Sequence, residues 1–244
     1  MMVFDDIYRG KKEAISGNVR QCLDVMDKEI EAFLLFMLLV VQPLLKAVTY
    51  IQKDQSIPIE GSKEFQFLAK EYNIMHQTNL EQKKELAYEA THDNLTGIYN
   101  RNGYDSIQPS VDWDSCALVL FDLDHFKPVN DIYGHKMGDQ VLARAARVIQ
   151  NAFRAQDFVC RIGGDEFAVI MVQVNTDSGN RIVEKVRKIN EELKQPKGDI
   201  PGIQVSCGVA YGALISDFDR LFHEADAALY RVKRNGGSDC EICN

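Results

Sequence analysis

Ala117–Phe121, ALVLF, is an unbroken apolar run that ends in Asp122, with Asp124 close behind. Such a run reads as a buried strand that delivers a polar residue at its C-terminal end. Further on, Phe158–Ile162 and Phe167–Val172 are two apolar runs separated by Gly163, Gly164, Asp165 and Glu166, the pattern of a hairpin. If these strands are neighbours, the carboxylates of Asp122, Asp124, Asp165 and Glu166 converge at one edge of a sheet. A cluster of that kind is costly unless a divalent cation neutralises it. Gly163 and Gly164 are expected to allow a tight turn and to let a ligand approach the backbone. Lys127 lies just beyond the strand end, in reach of a phosphate. Carboxylates with a nearby cation are the equipment of metal-assisted phosphoryl or nucleotidyl transfer. Taken one at a time, the same residues also read as helix caps and an ordinary hairpin turn.

The surrounding pattern completes a fold class. Asp139–Phe153 and Thr176–Leu193 are amphipathic helices, Gln204–Ala210 is a strand, and Phe218–Lys233 is a final helix. The β-α-β-β-α-β order predicts an α+β domain: an antiparallel-rich, five-stranded sheet with helices on one face, in a ferredoxin-like or palm-like core.

The first third of the chain is of another kind. Val19, Leu23, Met26, Ile30, Phe33, Met37, Val40, Leu44, Ala47 and Ile51 follow a 4, 3, 4, 3 spacing. That heptad seam describes a helix packing along another, with a parallel homodimer as the natural partner and a monomeric bundle as the alternative. Residues 32–41, AFLLFMLLVV, are apolar on every face. They span only about 15 Å as a helix, half a bilayer core. Extending the stretch to residue 51 reaches membrane length but includes Gln42, Pro43 and Lys46, so a membrane contact through 32–51 and a buried bundle helix both stay open. Pro43, the connector Ile57-Pro58-Ile59-Glu60-Gly61, and Glu64, Leu68, Tyr72, Asn73 and Met75 resemble a HAMP module, a parallel four-helix bundle that passes motion to an output domain. Pro58 and Gly61 break the helix, Ser62 can cap the next one, and Phe65, Leu68, Tyr72 and Met75 continue the seam. The expected organisation is an N-terminal helix over 1–40, a HAMP-like module over 41–87, and a catalytic domain over 88–244.

Composition narrows the partners. A net charge of −8 argues against non-specific binding to nucleic acid. A small anionic ligand remains open to it, because one metal ion and a few local cations reverse the sign of a cleft. The polar start Met1–Arg20 reads as no secretory signal. The six cysteines then read as free thiols of a reducing, cytoplasmic compartment, at the inner face of the membrane if 32–51 touches it. Cys240 and Cys243 form a lone CxxC, a weak metal or redox signal.

Five blocks carry a resemblance across residues 91–238: Asp93-Asn94-Leu95-Thr96-Gly97 with Asn100-Arg101; FDLDHFKPVNDIYGHKMGDQVL from Phe121 to Leu142; RIGGDEF from Arg161 to Phe167; Val205–Ala210; and Ala225–Tyr230 with Lys233. In order and spacing they are similar to the GGDEF family of diguanylate cyclases. The resemblance implies Mg²⁺ or Mn²⁺ held by Asp122, Asp165 and the carbonyl of Leu123. It implies that Asp165 or Glu166 helps deprotonate a ribose 3′-hydroxyl, that Asn130 and Asp139 read the guanine edge of GTP, and that Lys127 and Lys233 hold its phosphates. On physics alone, Lys233 reads equally well as a solvated lysine near a helix C-terminus. The implied reaction joins two GTP into cyclic di-GMP and therefore needs two domains face to face. Arg154 and Asp157 match an RxxD that binds product and inhibits. Gly237-Ser238 stands where the family carries Arg-Asn, which predicts weaker GTP binding through the loss of a phosphate contact worth about 1.5–3 kcal/mol. A catalytically silent sensor of GTP or cyclic di-GMP is the competing expectation.

Overall fold

The computed structural model describes residues 2–215 and 218–243, with side chains from residue 18 onward save that of Leu23. The expected seam position Leu23 and the side chains of the first segment through residue 17 thus lie outside the described residues. The chain divides into two compact units, Met1–Lys84 and Glu85–Asn244.

In the first unit, α1 (Met2–Phe36) passes through a π-helical turn at Met37–Val41 into α2 (Gln42–Gln52), and α3 (Lys63–Thr91) follows a short connector. Pro43 has no N–H, so the Leu39 carbonyl one turn earlier loses its helical donor. The Ser62 N–H replaces it at 3.2 Å. The connector can come this close because Gly61 has no Cβ: one there would meet the Leu39 oxygen at 2.8 Å and Pro43 Cγ at 2.9 Å. Ser62 Oγ accepts from the Phe65 N–H at 3.3 Å and caps α3. Asn73 exchanges hydrogen bonds with the Ile57 backbone at 2.7 and 2.8 Å. Ala47, Ile57 and Ala69 form a small core with Tyr50, Phe65 and Tyr72 packed against it. Most of the seam lies outside that core. Met26, Ile30, Phe33, Leu44, Leu68 and Met75 are each more than half exposed in the single chain. The segment Asn18–Gln52 is long and apolar enough to cross a membrane by length and composition.

The second unit is the α+β domain expected from the alternating pattern. Its strands are β1 (Cys116–Asp124), β2 (Phe158–Arg161), β3 (Glu166–Val172), β4 (Gln204–Tyr211) and β5 (Cys240–Ile242), in the order β2-β3-β1-β4-β5. All pairings are antiparallel except β4 with β5, which is parallel. Its helices are α4 (Arg101–Ile107), α5 (Phe126–Tyr133), α6 (His135–Ala152), α7 (Gly179–Lys194) and α8 (Phe218–Arg234).

The helices do not lie on one face, as the element order had suggested. Ala117, Val119, Phe121 and Leu123 of β1 pack with Val141, Ala145 and Ile149 of α6 and Ile182, Val186 and Ile189 of α7. Cys116, Leu118 and Leu120 pack on the opposite face with Tyr104 and Ile107 of α4 and Leu221, Ala225 and Leu229 of α8. Both faces of β1 are covered, which is why its sequence is apolar at every position from Cys116 to Phe121. The approach of α8 to β4 depends on Gly208, where a Cβ would run into the backbone of Ala225 and Leu229.

Candidate active site

The sheet sets Asp122 beside the hairpin. Asp122 on β1 is the direct partner of Glu166 on β3 and of Ser206 on β4. The next N–H along β1, that of Leu123, donates to the Asp165 carbonyl at 3.2 Å. Asp122, Leu123, Asp165 and Glu166 are thus brought together at one end of the central strands.

Asp122 is 8% exposed. Burial pushes its carboxyl above the ordinary range; the hydrogen bond and charge of Lys233 oppose this, and the charges of Asp165 and Glu166 add to it. Lys233, near the end of α8, places Nζ 2.5 Å from Asp122 Oδ2. Lys233 is therefore no free helix-end lysine: it partly offsets the charge of the buried carboxylate. Lys127, in the first turn of α5, is exposed and has no ion pair among the described residues.

Gly163 serves the hairpin through the space it leaves. Neither Gly163 nor Gly164 has a positive φ. The Glu166 carbonyl accepts from the N–H groups of Ile162 and Gly163 at 3.0 and 3.3 Å. The Glu166 carboxylate lies where a Gly163 side chain would be, whereas a Cβ on Gly164 would meet nothing within 4 Å. The Gly164 carbonyl accepts from Arg161 Nε and Nη2 at 3.1 and 2.7 Å.

Asn130 and Asp139 belong to the helical pair α5–α6, which turns at Gly134 (φ +81°). The half-buried Asn130 amide occupies the space a Gly138 side chain would take, next in sequence to the exposed Asp139. Arg154 and Asp157 fall elsewhere, beside a cavity of about 200 Å³ also lined by His92, Tyr99 and Gln150. Asp157 is buried, and its oxygens accept from the N–H groups of Arg154 at 2.9 Å and Val172 at 3.3 Å. The Arg154 guanidinium has no hydrogen bond or ion pair among the described residues.

Two functional features were not expected from the sequence. Asp124 accepts from Ser206 Oγ at 2.6 Å and from the N–H and Oγ of Ser238 at 2.9 and 3.0 Å, holding the turn Gly236–Ser238 at the strand end. Arg161 joins the hairpin to Asp93, with Nη1 3.1 Å from both carboxylate oxygens. Asp93 and Arg161 open two separate blocks of the resemblance, the first and the third; for the bonds of Asp124 there was no signal.

The donor set fits a hard divalent cation. Asp122, Asp165 and the Leu123 carbonyl are all oxygen donors, and one lysine does not balance the three carboxylates of Asp122, Asp165 and Glu166. Among the described residues no three Asp, Glu, His or Cys side chains form a closed metal cage. Mg²⁺ is usually bound through one or two carboxylates plus substrate phosphates and water.

Residues 90–239 match the family model for the GGDEF domain of diguanylate cyclases. The chain is 39% identical over 163 residues to the probable diguanylate cyclase DgcF of Escherichia coli K12, covering 63% of this chain and 51% of that protein. It is 35% identical over 185 residues to the diguanylate cyclase DgcM of the same strain, covering 73% of this chain and 44% of that one. The chain thus spans about half the length, or less, of these curated relatives. Among solved structures it is similar to the coiled coil and GGDEF domain of DgcB from Caulobacter crescentus in complex with c-di-GMP, with a TM-score of 0.60, 27% identity, and coverage of 72% of this chain and 96% of that one.

Proposed function

The chain belongs to the GGDEF family of diguanylate cyclases, and we propose that it condenses two GTP into cyclic di-GMP and two pyrophosphates as a homodimer. The observation that carries this reading is the pairing of buried Asp122 with Glu166 across β1 and β3, next to Asp165 and under the ammonium of Lys233. A fold places a buried carboxylate against two others only where something cationic completes the site.

Asp122, Asp165 and the Leu123 carbonyl would hold Mg²⁺ or Mn²⁺, which supplies charge neutralisation and orientation of the triphosphate. Glu166 or Asp165 accepts the proton of the ribose 3′-hydroxyl as that oxygen attacks the α-phosphorus of the second GTP. The P–O bond to pyrophosphate breaks, and a reciprocal step closes the ring. Lys127 contacts phosphate oxygens, and so does Lys233 once the nucleotide competes with Asp122 for it. Asp139 accepts from guanine N1–H and the exocyclic amine with Asn130 alongside, which disfavours adenine. The open space over Gly164 leaves room for the nucleotide.

Each domain binds one GTP, so two must face each other. The exposed seam of α1–α3 supports dimerisation through these helices, which raises the effective concentration of one site near its twin. The Leu39–Ser62 bond and the Ile57–Asn73 pair give the connector the rigidity a HAMP-like relay needs. The apolar span Asn18–Gln52 supports a place at the cytoplasmic face of a membrane. The free Arg154 guanidinium beside its cavity supports product inhibition by cyclic di-GMP there.

The test is incubation of the full chain with GTP and Mg²⁺, followed by chromatography. Cyclic di-GMP is expected from the wild type and none from Asp165→Ala. Nucleotide binding without product, from a dimer, would instead establish the silent-sensor reading, which the missing arginine at Gly237 favours.

A further inference from the structure

The lone CxxC does not pair with itself. Cys243 turns to Glu224, its Sγ 3.2 Å from Oε2. Cys240 faces Cys207 instead: the two are partners in the parallel β4–β5 pair, and their Sγ atoms are 3.6 Å apart. Both are free thiols. Backbone bonds fix the pairing on either side, from the Cys207 N–H to the Asp239 carbonyl at 2.9 Å and from the Cys243 N–H to the Val209 carbonyl at 2.7 Å.

The two thiols differ in access. Cys207 is fully buried in the main core. Cys240 is half-buried and lines a cavity of about 290 Å³ together with Arg187, Asn190, Lys194 and Ser238. A small polar oxidant can reach Cys240 through that cavity, whereas Cys207 is fully buried and does not line it. Residues paired directly across neighbouring strands also lie within the roughly 4.4–6.8 Å Cα separation that a disulfide requires.

We propose that Cys207 and Cys240 form a modification site, a dithiol that a peroxide closes into an intramolecular disulfide. The Cys240 thiolate attacks one peroxide oxygen; an S–O bond forms, the O–O bond breaks, and the departing hydroxide takes a proton to become water. Cys207 sulfur then attacks the sulfenic sulfur of Cys240. The S–S bond forms, the S–O bond breaks, and the departing hydroxide takes the Cys207 proton as a second water. Two thiols give up two electrons, and one peroxide is reduced to two waters. Burial pushes the Cys207 thiol well above its ordinary pKa, so it does not initiate; its resolving role rests on its sulfur lying 3.6 Å from that of Cys240. The bond would tie β5 to β4 two residues beyond Ser238, the residue that holds Asp124.

The experiment uses the full chain, fully reduced, then exposed to hydrogen peroxide under native conditions. Remaining thiols are alkylated, and the digest is read by mass spectrometry. Free thiols are expected to fall from six to four, with one peptide pair joining Cys207 to Cys240 that dithiothreitol separates. The variant Cys243→Ser should form the same link, and Cys240→Ser should form none. Both changes are at half-buried positions, one on the edge strand and one just past its end, so neither empties the core. A Cys240–Cys243 link, Cys240 driven to sulfinic acid with Cys207 still alkylatable, or six thiols surviving peroxide would each overturn the proposal.

Discussion

Lys233 Nζ sits 2.5 Å from Asp122 Oδ2, so the charge that offsets the buried carboxylate comes from the last turn of α8. The offset is incomplete, since burial and the neighbouring Asp165 and Glu166 leave the Asp122 pKa above the ordinary carboxylate value. A carboxyl raised in the fold favours the folded state below its unfolded pKa, and that advantage is lost as pH rises through the folded pKa. At pH 8 the charged Asp122 therefore costs stability. Asp122→Asn should raise Tm at pH 8 by about 2–4 °C, with the gain shrinking toward pH 4, while cyclase activity falls more than about 100-fold. Thermal unfolding at the two pH values checks this, and an unchanged or lower Tm at pH 8 would sink it.

Arg161 and Asp93 invert that sign. Burial pushes the Asp93 carboxyl up, but hydrogen bonds from Thr96 and Arg161 and the Arg161 charge outweigh it and leave the pKa lowered. A lowered carboxyl contributes stability that is present above its unfolded pKa and is lost as pH falls through the folded one. The pair is only 15% and 23% exposed, so screening is modest. Arg161→Ala should cost about 2 kcal/mol at pH 7 and flatten the loss of stability below about pH 4. It should also lower turnover, because Arg161 holds the Gly164 carbonyl of the hairpin. In Asp93→Asn/Arg161→Ala the two losses should not add; strict additivity in urea unfolding would refute the coupling.

Arg154 and Asp157 make a divided prediction. Asp157 accepts two backbone N–H groups, and Asp157→Ala strands both, at a cost of about 1–3 kcal/mol. The Arg154 side chain makes no such bond among the described residues, and its backbone N–H survives truncation, so Arg154→Ala should leave Tm within about 1 °C yet raise the concentration of cyclic di-GMP needed for half-inhibition at least about tenfold. Equal inhibition of Arg154→Ala and wild type would remove the inhibitory role from this pair.

Much of the site was legible because it is written in short-range sequence. The strand ending in Asp122 and the hairpin around Asp165 are local patterns, and their meeting followed from assuming adjacent strands. Helix placement was less legible. The unbroken apolar run at the start of β1, Cys116–Phe121, already implied cover on both faces, but element order alone suggested one. The short α5 was hidden because Pro128 and a left-handed His125 (φ +59°) interrupt any periodic pattern. The strand β5 was hidden because a CxxC draws attention to metal chemistry, while a three-residue edge strand has no period to detect. The bonds of Asp124 to Ser206 and Ser238 join residues 82 and 114 positions apart, and no local signal encodes such a contact.

Gly237 tests whether the missing arginine could simply be restored. The family resemblance alone predicts that G237R gains a phosphate contact worth about 1.5–3 kcal/mol. The structure adds an opposing cost. Gly237 has φ +76°, and a Cβ there would meet Asp124 Oδ1 at 3.0 Å and Ser206 Oγ at 3.2 Å. A side chain in that conformation costs about 1–2 kcal/mol, and crowding Asp124 also threatens the bonds from Ser238. G237R should therefore lower Tm by about 2–6 °C and improve KM for GTP by less than about tenfold over wild type. Gly237→Ala carries the strain without the guanidinium, so it should show a similar drop in Tm and a higher KM than G237R. Steady-state kinetics and thermal unfolding of the two variants separate the terms. If G237R binds GTP more tightly with Tm unchanged, the turn has relaxed around the new side chain, and the bonds from Ser238 to Asp124 are not what fixes it.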